Sequence, residues 1–332
     1  MANLQAMNES AFRVYLEKRI QRHAEGLVKA GRCRLPEALE ESKNACQAQF
    51  PEGLASKTNS LFSIIDENFG TTVGSVWLRL DHEGPHTSAA IHDFLIYEEF
   101  RRKGYGRQAM AALENRLREL RIPSVLLWLQ PENQVAQALC QKSGFDIVGY
   151  FMRKKLSAPT PRSTVNLEPM TKTVLRSYLE NQIQHHAELE VRHFNCPLSD
   201  ALENARREYE EQFPGGLAPE NTHLFSIIDA ALGSPVGLIW LGLHRVGSGP
   251  IDFFIEDFRI YDEFQRKGHG TQALMALEHK VRELGGDTVS LFVQVHNQGA
   301  QRLYLRMGFN ITNIETRKRL IALTSQVNRA TH

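Results

Sequence analysis

The chain has 332 residues, 42% apolar and 23% charged, with a formal net charge of +1 at pH 7. That length suits about two domains and that composition an ordinary globular protein, while so small a net charge argues against bulk electrostatic binding to nucleic acid or an anionic membrane. Four cysteines (Cys33, Cys46, Cys140, Cys196) show neither CxxC spacing nor a paired framework, which fits a reducing compartment. The first residues lack a basic start followed by an apolar core, and no apolar run approaches the ~20 residues of a membrane helix, so the expectation is a cytoplasmic protein.

The chain is one unit written twice. Leu61 to Asp66 (LFSIID) recurs as Leu224 to Asp229, 163 residues later, and Met7/Met170 and Trp77/Trp240 keep that offset. From Gly104/Gly268 onward the offset is 164. The expected domains are residues 1–156 and 165–332, joined by the polar, proline-bearing linker 157–164. Each copy opens with a short extended segment, Asn3 to Met7 or Asn166 to Met170. Two helices follow, Ala11 to Leu27 and Pro36 to Phe50, or Val174 to Val191 and Leu198 to Phe213. Strands are predicted over 61–66, 73–80 and 91–97, matched by 224–229, 236–243 and 253–261. A helix then carries Met110, Leu113, Leu117 and Leu120, or Leu274, Leu277, Val281 and Leu284, at helical spacing. A strand (125–130 or 289–295), a short helix from Asn133 or Asn297, and a closing extended segment complete the unit. The order β-α-α-β-β-β-α-β-α-β predicts an α/β fold, two tandem domains each with a central mixed sheet flanked by helices.

Between the third long strand and the following helix stands Gln265-Arg266-Lys267-Gly268-His269-Gly270, and in the first copy Arg101-Arg102-Lys103-Gly104-Tyr105-Gly106. Two glycines one residue apart permit a tight turn, and the helix start beyond it presents unpaired N–H groups and partial positive charge, a seat for phosphate oxygens. Arg266 and Lys267 add fixed charge. A dinucleotide fingerprint would need a third glycine where residue 273 is Ala, and a P-loop would need Gly-Lys-Ser/Thr, so neither fits. His23 and the pair His185-His186 suit surface positions better than metal ligation, and no metal is expected. Trp77 and Trp240 lie in strand patterns and are expected in the core.

These residues resemble the GNAT superfamily of N-acetyltransferases. Its core motif, Arg/Gln-x-x-Gly-x-Gly/Ala between strand and helix, is matched by Gln265 to Gly270 and Arg101 to Gly106. Its second signature is matched by Asn297, Ala300, Leu303-Tyr304 and Gly308-Phe309, and by Asn133, Ala136, Leu139-Cys140 and Gly144-Phe145. The resemblance covers nearly the whole chain. It implies acetyl-coenzyme A as cofactor, its pantetheine arm lying in a gap between splayed strands much as an added strand would. The implied cofactor contacts are Ile260, Tyr261, Gln265 to Thr271 and Asn297, and in the first copy Ile96, Arg101 to Arg107 (through Arg102, Lys103, Gly104, Tyr105 and Gly106) and Asn133.

The resemblance also gives Tyr304 a task. Transfer expels a thiolate, and a tyrosine hydroxyl with a pKa of about 10 stays protonated and can donate to the sulfur. The first copy has Cys140 there, a weak donor, so the second copy is expected to be the working one and the first degenerate. A base is needed as well, since an amine of pKa about 10.4 is almost wholly protonated at neutral pH. Glu256 and Asp257 both lie on the strand leading to the gap; successive side chains face opposite ways, so one of them faces the cleft. The acceptor, implied to be a small-molecule or peptide amine, would meet the first two helices. Residues 171–216 hold 5 basic and 8 acidic side chains against 8 and 7 in residues 8–53, a hint of a cationic amine at the second copy. Duplication also allows the halves to pack as an intramolecular pseudo-dimer. The rival reading is a non-catalytic acyl-CoA-binding or sensing protein.

Overall fold

The computed structural model describes every residue except 30–33, 57, 82–87, 158, 195, 217, 246–250 and 322–332, so Cys33 lies outside the described residues. The first copy runs β1 (Ala2–Ala6), α1 (Glu9–Lys29), α2 (Leu35–Gln49), β2 (Asn59–Asp66), β3 (Thr71–Asp81), β4 (Ser88–Ile96), α3 (Tyr105–Glu119), β5 (Ser124–Leu129), α4 (Gln134–Lys142) and β6 (Asp146–Lys155). The second runs β7 (Val165–Pro169), α5 (Lys172–Phe194), α6 (Leu198–Gln212), β8 (Thr222–Asp229), β9 (Ser234–Arg245), β10 (Ile251–Ile260), α7 (His269–Glu283), β11 (Thr288–Gln294), α8 (Gln298–Arg306) and β12 (Asn310–Arg319). The predicted order holds in both copies. Pro36 sits in the first turn of α2, where its missing N–H costs no hydrogen bond. Asn133 and Asn297 cap α4 and α8 by accepting from the N–H of Ala136 and Ala300, each at 3.1 Å, one of the donors that a helix start leaves unpaired.

The chain forms two compact units, Met1–Val148 with Glu315–Ala322, and Gly149–Ile314. In the first, antiparallel β1 to β4 are followed by β5 parallel to β4, and then by β12. In the second the order is β7, β8, β9, β10, β11 and then β6, with β6 antiparallel to β11 from Gly149–Gln294 to Lys155–Thr288. Compact units and sequence repeats therefore part company at the last strand: each copy's final strand completes the sheet that the other copy begins. Local pattern cannot show this, because β6 and β12 have the same length and place in the repeat.

A buried carboxylate receives each transferred strand. Glu278 on α7, 4% exposed, is paired with Lys154 of β6 and accepts from Thr160 Oγ1 at 2.7 Å. Glu114 on α3, 7% exposed, is paired with Lys318 of β12 at 2.7 Å and with Arg118 at 3.3 Å. Ala273, Leu274, Leu277 and Val281 of α7 bury one face against Phe253, Ile255, Val289, Leu291 and Met152 of the second sheet. Trp77 and Trp240 are in the core as expected, against Phe50 and Phe213.

Candidate active site

The site begins where two parallel strands separate. β10 pairs with β11 only from Phe253–Val289 to Ile255–Leu291. At that point β10 takes up an extra residue against β9: Ile255 faces Leu241 and Asp257 faces Trp240, leaving Glu256 as the bulge. A bulge bends its strand, and β10 goes on beside β9 to Ile260 without a partner on its β11 side. β4 repeats the geometry, paired with β5 from Ala89–Val125 to Ile91–Leu127 and bulged at His92. The free edge is what an extended ligand could pair with.

At the end of β10 the backbone turns sharply. Arg266 (φ 60) and Gly268 (φ 91) are left-handed, as are Arg102 (φ 64) and Gly104 (φ 85). The side chains of Gln265 and Arg101 hold the turn to the strand by donating to the carbonyls of Ile260 at 3.0 Å and Ile96 at 3.1 Å. Among the described residues, the N–H groups of Arg266, Lys267, Gly268, His269 and Gly270 donate to no protein acceptor, and the same holds for Arg102 to Gly106. Such consecutive donors form an anion nest at a helix start. Thr271 and Arg107 are not part of it, since their N–H groups bond to the carbonyls of Gly268 and Gly104. Gly270 packs closely on α8: a Cβ there would come within 3.1 Å of Leu303 Cδ2.

His269 and Tyr105 reinforce the turn from behind. His269 Nε2 is 3.0 Å from Asp229 Oδ2 and Nδ1 is 3.0 Å from the Phe264 carbonyl; Tyr105 donates to Asp66 Oδ2. Backbone N–H groups of Leu232 and Ala231, with His269, hold the Asp229 carboxyl below its usual range, and the Tyr105 hydroxyl with the Asn68 N–H does so for Asp66. Sequence reasoning missed these two aspartates. Their signal was the Asp closing both copies of LFSIID, opposite an aromatic ring between the two glycines.

Tyr304 is 6% exposed, its ring against Phe258 of the unpaired strand and Phe309. Burial and then the charge of Asp257 push its pKa up, and its hydroxyl has no hydrogen-bond partner among the described residues. Cys140, its counterpart, is 2% exposed and burial pushes its thiol up to about 11. Asp257 turns toward α5: its Oδ2 accepts from Tyr178 at 3.0 Å and from Gln182 at 2.9 Å, with Arg259 at 3.7 Å. Glu256, the bulge residue, is exposed. Tyr178 and Gln182 also escaped the sequence reading, although Tyr15 stands 163 residues before Tyr178 and donates to Asp93 at 3.1 Å. Asp93 differs in its other partners, for both oxygens meet Arg22 (2.7 and 3.4 Å) and Arg19 lies at 3.8 Å. Among the described residues no cluster of His, Cys, Asp and Glu could hold a metal, and no helix is long and apolar enough to cross a membrane.

A splayed parallel pair leading into an anion nest defines a seat for an extended ligand that ends in a phosphate, and comparison with known proteins gives the class. The model of the acetyltransferase (GNAT) family matches residues 28–145 and 187–309. The chain belongs to that family as a tandem of two GNAT domains, and is an acyltransferase enzyme. An uncharacterized N-acetyltransferase of Bacillus subtilis, YycN, is 35% identical over 158 residues, 47% of this chain and 99% of its own length. A mycothiol acetyltransferase of Stackebrandtia nassauensis is 27% identical over 265 residues, covering 76% of this chain and 80% of its own. In fold, a GCN5-related N-acetyltransferase of Sphaerobacter thermophilus superposes over 97% of this chain and 96% of its own with a TM-score of 0.51 at 14% identity.

Proposed function

We propose that the second copy transfers an acetyl group from acetyl-coenzyme A directly to a primary amine. The residues present fit the coenzyme: the nest at Arg266 to Gly270, flanked by two basic side chains, suits its diphosphate, and the free edge of β10 past Ile255 suits its pantetheine amides. Bound there, it supplies the activated acyl group. The observation that carries the reading is the set of groups beside that edge. Tyr304 offers a protonated hydroxyl with no competing protein partner, and Asp257 keeps Oδ1 without a donor among the described residues.

Asp257 draws the acceptor's ammonium in and takes its proton, directly or through water, freeing the lone pair for attack on the thioester carbon. Unpaired N–H groups of β10 polarise the carbonyl oxygen as charge develops on it. Tyr304 donates its proton to sulfur as the C–S bond breaks, and burial keeps that proton in place at neutral pH. Tyr178 and Gln182 position Asp257, and the cation beside it, Arg259, lies 3.7 Å from Oδ2 and leaves Oδ1 open. In the first copy the carboxylate is clamped by arginines and the phenol is a thiol, so that copy binds coenzyme A and does not transfer.

The test is release of free thiol from acetyl-CoA with a panel of primary amines. Tyr304→Phe is expected to lower kcat by about 10²–10⁴-fold while coenzyme affinity and Tm hold, because the lost hydroxyl makes no protein hydrogen bond. A Tyr304→Phe variant at full kcat would overturn the acid role. Absence of turnover with any amine would favour the binding-protein reading.

A further inference from the structure

We propose that the first unit holds a carboxylate at the acyl end of its coenzyme A cleft, a proposal that rests on the reading that its cradle binds coenzyme A. The two copies are each other's control. Facing the splayed strand from the first helix, Lys18, Arg19 and Arg22 stand where the second copy has Asn181, Gln182 and His185. On the strand itself, His92, Asp93 and Leu95 correspond to Glu256, Asp257 and Arg259. Counting histidine as neutral, these six positions carry a formal +2 in the first copy and −1 in the second. Glu99 and Glu263 occupy equivalent places and leave the difference unchanged; Glu315, which accepts from Trp128 beside His92 and has Phe151 at its counterpart, narrows it by one.

The cations are held in place and not fully used. Arg22 lies on both oxygens of Asp93. Arg19 stands over the Trp77 ring at 4.7 Å, donates to Gln49 at 3.0 Å and lies 3.8 Å from Asp93. The Lys18 ammonium sits 3.8 Å over the Tyr97 ring, at the end of the unpaired strand, and has no carboxylate partner among the described residues. Two carboxylates, Asp93 and Glu315, against three cations leave a deficit of negative charge, which a bound carboxylate makes good with charge-assisted hydrogen bonds. An ammonium is repelled by the same field. Cys140 is also smaller than Tyr304 at the matching place in the repeat, in keeping with an acyl group longer than acetyl. The carboxylate has two sources: the far end of a dicarboxylic acyl group, or a free carboxylate beside an acetyl thioester.

Calorimetry on the full chain, with hydrogen exchange to locate binding, distinguishes them. Acetyl-CoA is expected to bind at two sites and to protect residues 101–107 as well as 265–271. Succinyl-CoA should bind one site at least about tenfold more tightly than acetyl-CoA, the scale of one charge-assisted hydrogen bond. Arg22→Gln, which leaves Asp93 its Tyr15 and Arg19 partners, should erase that preference, and Lys18→Gln, which breaks no ion pair, should reduce it; both should leave acetyl-CoA affinity unchanged. If succinate instead binds the acetyl-CoA-loaded protein and Arg22→Gln abolishes this, the carboxylate is a separate ligand and the proposal stands. Equal affinity for the two thioesters with no succinate binding, or a preference that survives both variants, overturns it. Absence of protection at 101–107 with any coenzyme A ester overturns the underlying reading.

Discussion

If β6 is held in the second sheet through Lys154 and Glu278, removing the lysine alone should cost far more than removing both partners. Glu278 is 4% exposed and has one other side-chain partner on its far oxygen, Thr160. Lys154→Met would leave that carboxylate buried with a single neutral hydrogen bond. Stranding one member of a buried pair costs about 3–5 kcal/mol; because the lysine side chain is 20% exposed, water relieves part of this, and about 2–4 kcal/mol is expected. For a unit of this size that lowers Tm by roughly 5–12 °C. Lys154→Met combined with Glu278→Leu removes the stranded charge and should recover at least about 1.5 kcal/mol relative to additivity. The first unit supplies a graded control: Glu114 keeps Arg118 at 3.3 Å when Lys318 is lost, so Lys318→Met should be milder. The assay is urea unfolding of the single and double variants, with hydrogen exchange on β6 and β11. Additive costs, or equal costs for Lys154→Met and Lys318→Met, would refute the reasoning.

Further predictions come from comparing the copies. Trp77 Nε1 donates to Asn59 at 2.9 Å, whereas Trp240 Nε1 is buried without an acceptor and Thr222 stands at the place of Asn59; Thr222→Asn should therefore stabilise the second unit by about 1 kcal/mol in chemical denaturation. The carboxyls of Asp66 and Asp229 are held below their usual range, so their contribution is complete above the unfolded carboxyl pKa of about 3.9 and is lost as pH falls through the lower folded value. Asp229→Asn should lower Tm at pH 7 and flatten its fall on acidification below about pH 4; an unchanged acid limb would discount the His269 contact. Because burial pushes the Cys140 thiol up to about 11, iodoacetamide at pH 8 should label the partly exposed Cys196 well before Cys140 or the buried Cys46 in site-resolved mass spectrometry.

Much of this protein follows from its residues in order. The duplication, the element order in each copy and the two basic turns come from local pattern: apolar spacing of 3.6 or 2, asparagines before helices, and glycines where φ must be positive. Asn133 and Asn297 cap helices because their own backbone positions require it, and Gly268 is glycine because its φ is 91°. Which way Glu256 and Asp257 each point has no local answer. Adjacent acidic residues on a strand are equivalent until a bulge sets their register and a helix from 75 residues earlier brings Gln182 to Asp257.

Tertiary structure alone also decided which sheet each closing strand joins. β6 and β12 have the same length, the same place in the repeat and a lysine at matching positions, so either could fill either slot as far as local pattern goes. The outcome depends on hydrogen-bonded register and on burial of Glu114 and Glu278, interactions between residues more than 120 positions apart. Periodicity reports which face of a strand is apolar and carries no information about its neighbour; pairing is settled by non-local contacts that exist only once the chain has folded.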